Sequence, residues 1–216
     1  MTEKYKIDSR ALDSLEGYVN KLIEKNAKLQ LIRLDLAHKK PDNGSSDLHQ
    51  LKQDVTHLLA NRRNKPSLFG DLEGYVVKYE HGEERGPHAH AIFMFDGQKL
   101  SKDEHRGDQI GEYWAEVITK GKGVFHNVNR YKDRFERCGI GMIDHKDAEK
   151  RKALIEEVLP YFAKVDQSIA GIKGRSKERA FTRGSLPKPM SKVGRPRAVD
   201  EEAVTSISVG LTEKEA

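Results

Sequence analysis

The sequence lacks the features that mark membrane, secreted and disulfide-stabilised proteins. Of its 216 residues only Cys138 is a cysteine, which excludes a disulfide framework and a zinc site built on paired thiolates. No run of about 18 apolar residues is present, so we expect no membrane association, and the first residues carry no apolar signal-peptide stretch. We therefore expect a protein of the cytoplasm.

Apolar residues are also few, and the charge is unevenly distributed. Hydrophobic residues make up 36% and charged residues 34% of the chain, which predicts one modest core and a highly charged surface. The net charge of +5 hides nine Lys/Arg against two Asp/Glu in residues 166–197, and five Asp/Glu against one Lys in residues 198–216. The basic segment indicates either contact with a polyanion or a solvated tail.

The hydrophobic periodicity predicts an α+β domain in which helices flank an antiparallel central sheet. We divide the chain into an N-terminal helix, a central domain, a basic extension and an acidic, disordered tail, at residues 1–28, 29–165, 166–197 and 198–216. Helical patterns occur at residues 8–28, 47–61, 101–120, where Ser101 and Glu104 have capping-box spacing, and 147–164. Strand patterns occur at residues 29–37, 74–80, 88–95, 124–128 and 140–143.

A histidine pair at the start of one strand is the most informative feature. Residues i and i+2 of a strand point to the same face, so His88 and His90 project together while Ala89 points to the opposite face. If the preceding strand forms a hairpin with this one, Glu80 comes alongside His88. Two imidazoles and a carboxylate can bind a divalent metal and leave positions open. Histidine pairs of this spacing also occur on ordinary exposed sheet faces.

A tyrosine near the end of the last helix is a candidate nucleophile. Tyr161 and Lys164 are spaced i and i+3, which makes them neighbours on a helix. A nearby cation favours the phenolate form, and a phenolate can attack phosphorus to form a phosphotyrosine. Tyr161 equally fits a half-buried core position, and Pro160 before it predicts a kink.

Taken together, these segments resemble the rolling-circle replication initiators of the HUH endonuclease superfamily, and most closely the filamentous-phage (inovirus) initiator group. The order of the segments is kept over roughly residues 28–197. The segments that carry the resemblance are residues 32–36 (IRLDL), 75–82 (YVVKYEHG), 87–95 (PHAHAIFMF), 110–114 (IGEYW), 119–123 (TKGKG), 139–143 (GIGMI) and 161–164 (YFAK).

The resemblance implies a sheet of the HUH, ferredoxin-like palm type with the histidine pair on a central strand. It implies Mg or Mn bound by His88, His90 and Glu80, and Tyr161 as nucleophile with Lys164 beside it. The implied enzyme is a site-specific endonuclease and strand transferase. It nicks single-stranded origin DNA, leaves a 5′-phosphotyrosine and a free 3′-hydroxyl, and can rejoin strands.

The resemblance also implies partners in a bacterial host cell. These are single-stranded DNA, an origin hairpin or duplex, a host polymerase and a host helicase. The chain carries no Gly-x-x-x-x-Gly-Lys motif of its own, and whether a helicase is required stays open. Residues 194–197 (GRPR) are similar to the core of an AT-hook. DNA contacts are predicted for the cationic residues Arg33, Lys78, Lys173, Arg175, Lys177, Arg179, Arg183, Arg195 and Arg197.

Other interpretations stay open at this point. Some phage initiators use two tyrosines four residues apart, whereas Val165 occupies the second position here. A non-catalytic DNA-binding regulator with the same fold, and a related relaxase or transposase of mobile DNA, fit the same segments. A metal-dependent hydrolase of small substrates fits the metal residues but leaves the basic segment and Tyr161 without a role.

Overall fold

A six-stranded antiparallel sheet organises the chain, as a computed structural model shows; the structure describes residues 6–40, 47–82, 85–165 and 181–187. The strands are β1 (Lys28–His38), β2 (Leu72–Gly82), β3 (Gly86–Asp96), β4 (Gly123–Asn127), β5 (Gly141–Asp144) and β6 (Phe181–Arg183). The helices are α1 (Ser9–Lys25), α2 (Leu48–Ala60), α3 (Pro66–Phe69), α4 (Asp103–Glu112), α5 (Ala148–Ala153) and α6 (Leu159–Ala163). The predicted α+β class is therefore confirmed.

The two longest pairings lie in the middle of the sheet. The strand order is β4-β1-β3-β2-β6, and β5 pairs with β1 as well. Strands β2 and β3 form the predicted antiparallel hairpin. Among the residues that the structure describes, no helix is long and apolar enough to cross a membrane.

The sheet is buried on both faces, which explains the nearly continuous apolar run of β3. Phe93 and Phe95 point to the face covered by α2, α3 and α4. Ile92 and Met94 point to the other face, where they pack with α1 and α6. Because side chains alternate along a strand, His90 belongs to the second face and extends its row beyond Ile92.

One edge of β1 is shared by two short strands, and a side chain occupies the gap between them. Strand β5 pairs with β1 up to Leu31, and β4 pairs with it from Leu34 onward. Between them, Asn129 Oδ1 accepts a hydrogen bond from the Arg33 N–H at 2.8 Å, and Asn129 Nδ2 donates one to the Leu31 carbonyl at 2.8 Å. The Asn129 amide thus replaces a strand partner and satisfies two buried backbone groups.

Two details of the sequence interpretation change. The capping box at Ser101 is wrong, because α4 begins at Asp103 with Lys102 as its N-cap and without a side-chain cap. The helical pattern that continues to residue 120 ends in a π-helical segment, Tyr113–Ile118.

The glycines of the GIGMI segment have packing roles. A Cβ on Gly139 would lie 2.6 Å from the Leu154 backbone, and Gly141 has a φ of +81°.

The boundary of the basic extension also changes. Phe181–Arg183 form β6, which pairs with β2 at Val76 to Lys78, so these residues belong to the sheet rather than to an appended segment. Arg183 packs on α1: its guanidinium lies 5.0 Å from the Tyr18 ring and 3.3 Å from Ser14 Oγ. The other predicted extension contacts, together with the AT-hook segment and the acidic tail, lie outside the described residues: Lys173, Arg175, Lys177, Arg179, Arg195 and Arg197.

Candidate metal centre and its tyrosine

The hairpin of β2 and β3 brings the three predicted metal ligands together. Glu80 is the cross-strand partner of His88, and both lie on the face of the sheet that α6 covers. His90, two residues further along β3, points to the same side. The prediction that these three side chains share one face is therefore confirmed, and it follows from the strand period and the register of the hairpin alone.

The three side chains converge on one point. His90 Nε2 lies 3.1 Å from Glu80 Oε2, and His88 Nε2 lies 3.6 Å from the same oxygen. One ligand atom from each residue fits within 4.8 Å of the others, so the trio could hold one metal ion. It is the only such group of three among the residues described, and it contains no third histidine.

Acceptors behind both imidazoles orient them for this role. His88 Nδ1 lies 3.0 Å from the Gly86 carbonyl, and His90 Nδ1 lies 2.6 Å from Asp35 Oδ1. An acceptor at Nδ1 keeps the proton there and leaves the Nε2 lone pair of a neutral imidazole facing the centre, the arrangement usual behind metal-bound histidines. Asp35 is absent from the predicted site residues. Its alternation with the apolar residues of β1 was the signal that could have identified it.

Tyr161 reaches the same centre from α6. Its hydroxyl lies 2.8 Å from His90 Nε2 and donates a hydrogen bond to Glu80 Oε2 at 3.1 Å. The helix arrives there through a π-helical segment, Leu154–Val158, and α6 begins immediately after it, with Pro160 in its first turn. Proline is tolerated at that position because the N–H it lacks has no helical partner there. The tyrosine predicted from sequence is thus in contact with the metal candidates.

Two cations lie against the tyrosine ring. The Arg33 guanidinium is 4.8 Å and the Lys78 ammonium 5.0 Å from the ring centroid. Lys78 is completely buried, bound to Glu80 Oε1 at 2.6 Å and to the Tyr161 carbonyl at 3.0 Å. Lys78 is one of the predicted DNA contacts, but its side chain lies buried beneath the tyrosine and is not exposed at the surface.

Lys164 differs from its predicted position. Helix α6 ends at Ala163, and Lys164 follows with a ψ of 131° and pairs with Ile7 in an isolated antiparallel bridge. The i,i+3 argument for a lysine beside Tyr161 therefore fails, because the two residues do not share a helix. Two cations that do lie beside the phenol ring, Arg33 and Lys78, come from β1 and β2.

The charges of the centre are strongly coupled. Burial raises the pKa of Glu80, but hydrogen bonds from His88, His90 and Lys78 outweigh this and hold it well below its usual range. Burial lowers the pKa of His90, but hydrogen bonds to Asp35 and Glu80 raise it above its ordinary value. Burial of Tyr161 raises the pKa of its phenol, Glu80 adds to this effect, and Arg33 opposes it. In this arrangement the phenol is protonated and the carboxylate ionised.

Comparison with known proteins yields a family and no individual relative. The family model of the YagK/YfjJ C-terminal domain matches residues 1–181, which is most of the chain, and the chain therefore belongs to that family. No curated protein and no solved structure matches the chain.

Proposed function

We propose that this member of the YagK/YfjJ C-terminal domain family is a metal-dependent, single-strand DNA endonuclease that attacks the scissile phosphate with Tyr161. The observation that carries the proposal is the position of the Tyr161 hydroxyl, 2.8 Å from His90 Nε2 and 3.1 Å from Glu80 Oε2. A hydrogen bond to the Glu80 carboxylate alone would satisfy the hydroxyl of a half-buried tyrosine. The additional contact with His90, an imidazole of the candidate metal site, is what a nucleophile that attacks a metal-bound phosphate requires.

The donor set fits a divalent ion. Glu80, His88 and His90 would hold it, and Asp35 and the Gly86 carbonyl would keep the two imidazoles in the required orientation. Bound there, the ion would withdraw charge from the phosphate oxygens. Two imidazole ligands suit Mn²⁺ better than Mg²⁺, which prefers oxygen ligands and water.

The residues of the chain account for the remaining chemistry. The Tyr161 oxygen forms a bond to phosphorus, the bond from phosphorus to the 3′-oxygen breaks, and the phenolic proton is balanced by the proton that the departing 3′-oxygen takes up. The products are a 5′-phosphotyrosine and a free 3′-hydroxyl. Arg33 and Lys78, 4.8 Å and 5.0 Å from the centroid of the Tyr161 ring, favour the negative charge that develops on the phenol oxygen.

We infer that the biological role of this reaction is the initiation of rolling-circle replication. A nick that keeps the phosphoester energy in a protein link permits later rejoining, which is the reaction of a rolling-circle replication initiator. Residues 166–197 carry a large positive excess and would contact the flanking DNA with strongly salt-dependent affinity. Relaxation or transposition of mobile DNA uses the same chemistry and differs only in the DNA that is supplied.

A non-catalytic DNA-binding function is the second candidate, and one contact favours it. The Lys78 ammonium already neutralises Glu80 at 2.6 Å, so the centre is internally compensated without a metal. Such a protein would bind single-stranded DNA and give no covalent product with Mn²⁺. The two candidate functions therefore differ in whether a covalent protein–DNA product forms in the presence of Mn²⁺.

The deciding experiment is incubation of the full chain with labelled single-stranded DNA from its genomic neighbourhood and Mn²⁺, followed by denaturing electrophoresis. We expect a covalent protein–DNA species in the wild type and its complete loss in Tyr161→Phe. Tyr113→Phe, which also removes a phenol hydroxyl on a helix, is the matched control and should keep the product. Adduct formation by Tyr161→Phe would refute the assignment, and no adduct in the wild type would favour the non-catalytic function.

A further inference from the structure

A cleft of about 890 Å³ continues from the candidate metal centre across the end of β1 to β4. His88 and Asp35 line the side nearest the centre, and Val124 and His126 of β4 line the far side. The volume lies within the range of ~300–1,000 Å³ that is common for small-molecule and cofactor sites. The cleft therefore has room for a ligand portion that extends beyond the phosphate at the centre.

A column of stacked planar groups stands at the far side of this cleft. The His126 imidazole stacks on the Tyr131 ring with 5.1 Å between centroids and 16° between planes. The Arg134 guanidinium lies 4.5 Å from the centroid of the Tyr131 ring. His126 lines the cleft whereas Tyr131 and Arg134 do not, so these two support the imidazole from behind. All three are exposed.

The register of the sheet connects this column to the centre. His126 is the cross-strand partner of Asp35, and Asp35 is the cross-strand partner of His90. The three side chains therefore form one row on the same face across β4, β1 and β3. Cross-strand neighbours are about 5 Å apart, so His126 lies about 10 Å from His90, which is close to the spacing of one to two nucleotides in an extended strand.

The walls of the cleft carry positive charge. Lys39, Lys40 and Arg85 line it and are exposed. Among the described residues that line the cleft, Asp35 is the one carboxylate, and it is bound to His90 at 2.6 Å and lies 3.8 Å from the Arg33 guanidinium. An anionic ligand therefore meets cations on entering the cleft.

We propose that His126, supported by Tyr131 and Arg134, is a stacking site for one unpaired base of the DNA strand that crosses the centre. The proposal rests on the proposed function and names the part of its substrate that is bound beside the reacting phosphate. A free base face is needed to stack on the imidazole, and a duplex offers none along its length because its bases stack on one another. The neighbouring phosphates then lie against Lys39, Lys40 and Arg85, the combination usual in single-strand binding sites.

Equilibrium binding without metal tests this site separately from the chemistry. A fluorescein-labelled 15-mer of thymidylate is titrated with the full chain in EDTA, and anisotropy is recorded. We expect His126→Ala to weaken binding by about 5- to 150-fold, the range measured for removing one stacking partner. His126→Phe, which keeps an aromatic plane and loses the ring nitrogens, should bind like the wild type. His57→Ala, an exposed histidine on α2, is the matched control.

A second oligonucleotide separates stacking from charge. A 15-mer of abasic residues keeps the phosphates without bases, so His126→Ala and the wild type should bind it equally. Arg85→Ala should weaken both oligonucleotides and lower the slope of log K against log salt by about 0.7. Unchanged affinity of His126→Ala for the thymidylate, or equal losses for both oligonucleotides, would overturn the stacking site.

The same data distinguish this inference from the proposed function. If the wild type forms no covalent product with Mn²⁺ but His126→Ala still loses affinity for thymidylate, the endonuclease proposal fails and the stacking site stands. If Tyr161 forms the adduct and His126→Ala binds and reacts normally, only the stacking site fails.

Discussion

Two partly buried polar clusters contact β1, and they differ in a way that separates a candidate reaction centre from a structural support. The site cluster consists of Glu80, His88, His90 and Tyr161. The Asn129 cluster consists of Asp103, Asn129 and Lys132, in which Asn129 Nδ2 donates to Asp103 Oδ2 at 2.9 Å and Lys132 lies 2.9 Å from the same carboxylate.

Both clusters contain an acid whose pKa lies below its usual value. Burial raises the pKa of Asp103, but hydrogen bonds from Asn129 and Lys132 lower it further than burial raises it. In the same way, hydrogen bonds from His88, His90 and Lys78 lower the pKa of Glu80 further than burial raises it. A shifted pKa therefore does not identify a functional site by itself.

The difference lies in where the polar atoms point. In the site cluster, acceptors of three residues converge within 4.8 Å of one another, and His88 borders an open cleft. In the Asn129 cluster, Oδ1 and Nδ2 of Asn129 are occupied by the Arg33 N–H, the Leu31 carbonyl and Asp103. Convergence beside a cleft allows a ligand to bind, whereas pairwise satisfaction only stabilises the fold.

The largest effect that would test this comparison is the loss of stability in Asn129→Ala. The substitution leaves the Arg33 N–H and the Leu31 carbonyl buried without a partner, so we expect a loss of about 2–4 kcal/mol in the free energy of unfolding. Urea denaturation followed by circular dichroism measures it. Gln98→Ala, at an exposed position, should change the value by less than about 0.5 kcal/mol. A loss below about 1 kcal/mol for Asn129→Ala would contradict its role as a strand substitute.

A smaller effect should appear in metal affinity when Asp35 is changed. Asp35→Asn weakens the hydrogen bond that orients His90, so we expect Mn²⁺ to bind about 10- to 100-fold more weakly, as is usual when such a supporting carboxylate is lost. Isothermal titration calorimetry with Mn²⁺ measures the dissociation constant. Asp108→Asn is the matched control, since that carboxylate pairs with Arg130. Equal affinities of Asp35→Asn and wild type would remove Asp35 from the proposed centre.

The smallest effect concerns stability at acid pH. The pKa of Asp103 is lower in the folded state than its value of about 3.9 in the unfolded chain. Its contribution is therefore fully present above pH ~4 and is lost as the pH falls through the folded-state pKa. We expect Asp103→Asn to be less stable than wild type at pH 7 and to lose less stability between pH 5 and 2.

Urea midpoints measured across the acid range check this prediction. The groups that face Asp103 are Asn129 and Lys132, and Lys132 also lies 3.3 Å from Glu104. Glu104→Gln is the control because its side chain is more exposed than that of Asp103, so the substitution should alter the acid dependence less. Parallel curves for Asp103→Asn and wild type would show that the Asp103 carboxylate does not contribute to acid sensitivity.

Local patterns were sufficient for five of the six strands and for part of the site. The alternation of β3 predicted that His88 and His90 share a face, and the short turn after β2 predicted that Glu80 pairs with His88. These predictions succeed because the two-residue period of a strand and the register of a hairpin depend only on neighbouring residues. The α+β class follows from the same periodicities.

Contacts between residues distant in sequence were decided only by the tertiary structure. The packing of α6 on the sheet brings Tyr161 to residues 71 and 81 positions earlier and places Lys78 beneath it, whereas Lys164 lies beyond the end of that helix. The bridging role of Asn129 and the row from His126 to His90 arise in the same way. Periodicity determines which face a side chain occupies, but which helix covers that face depends on the shape and burial of the whole core, and no local pattern of residues contains that information.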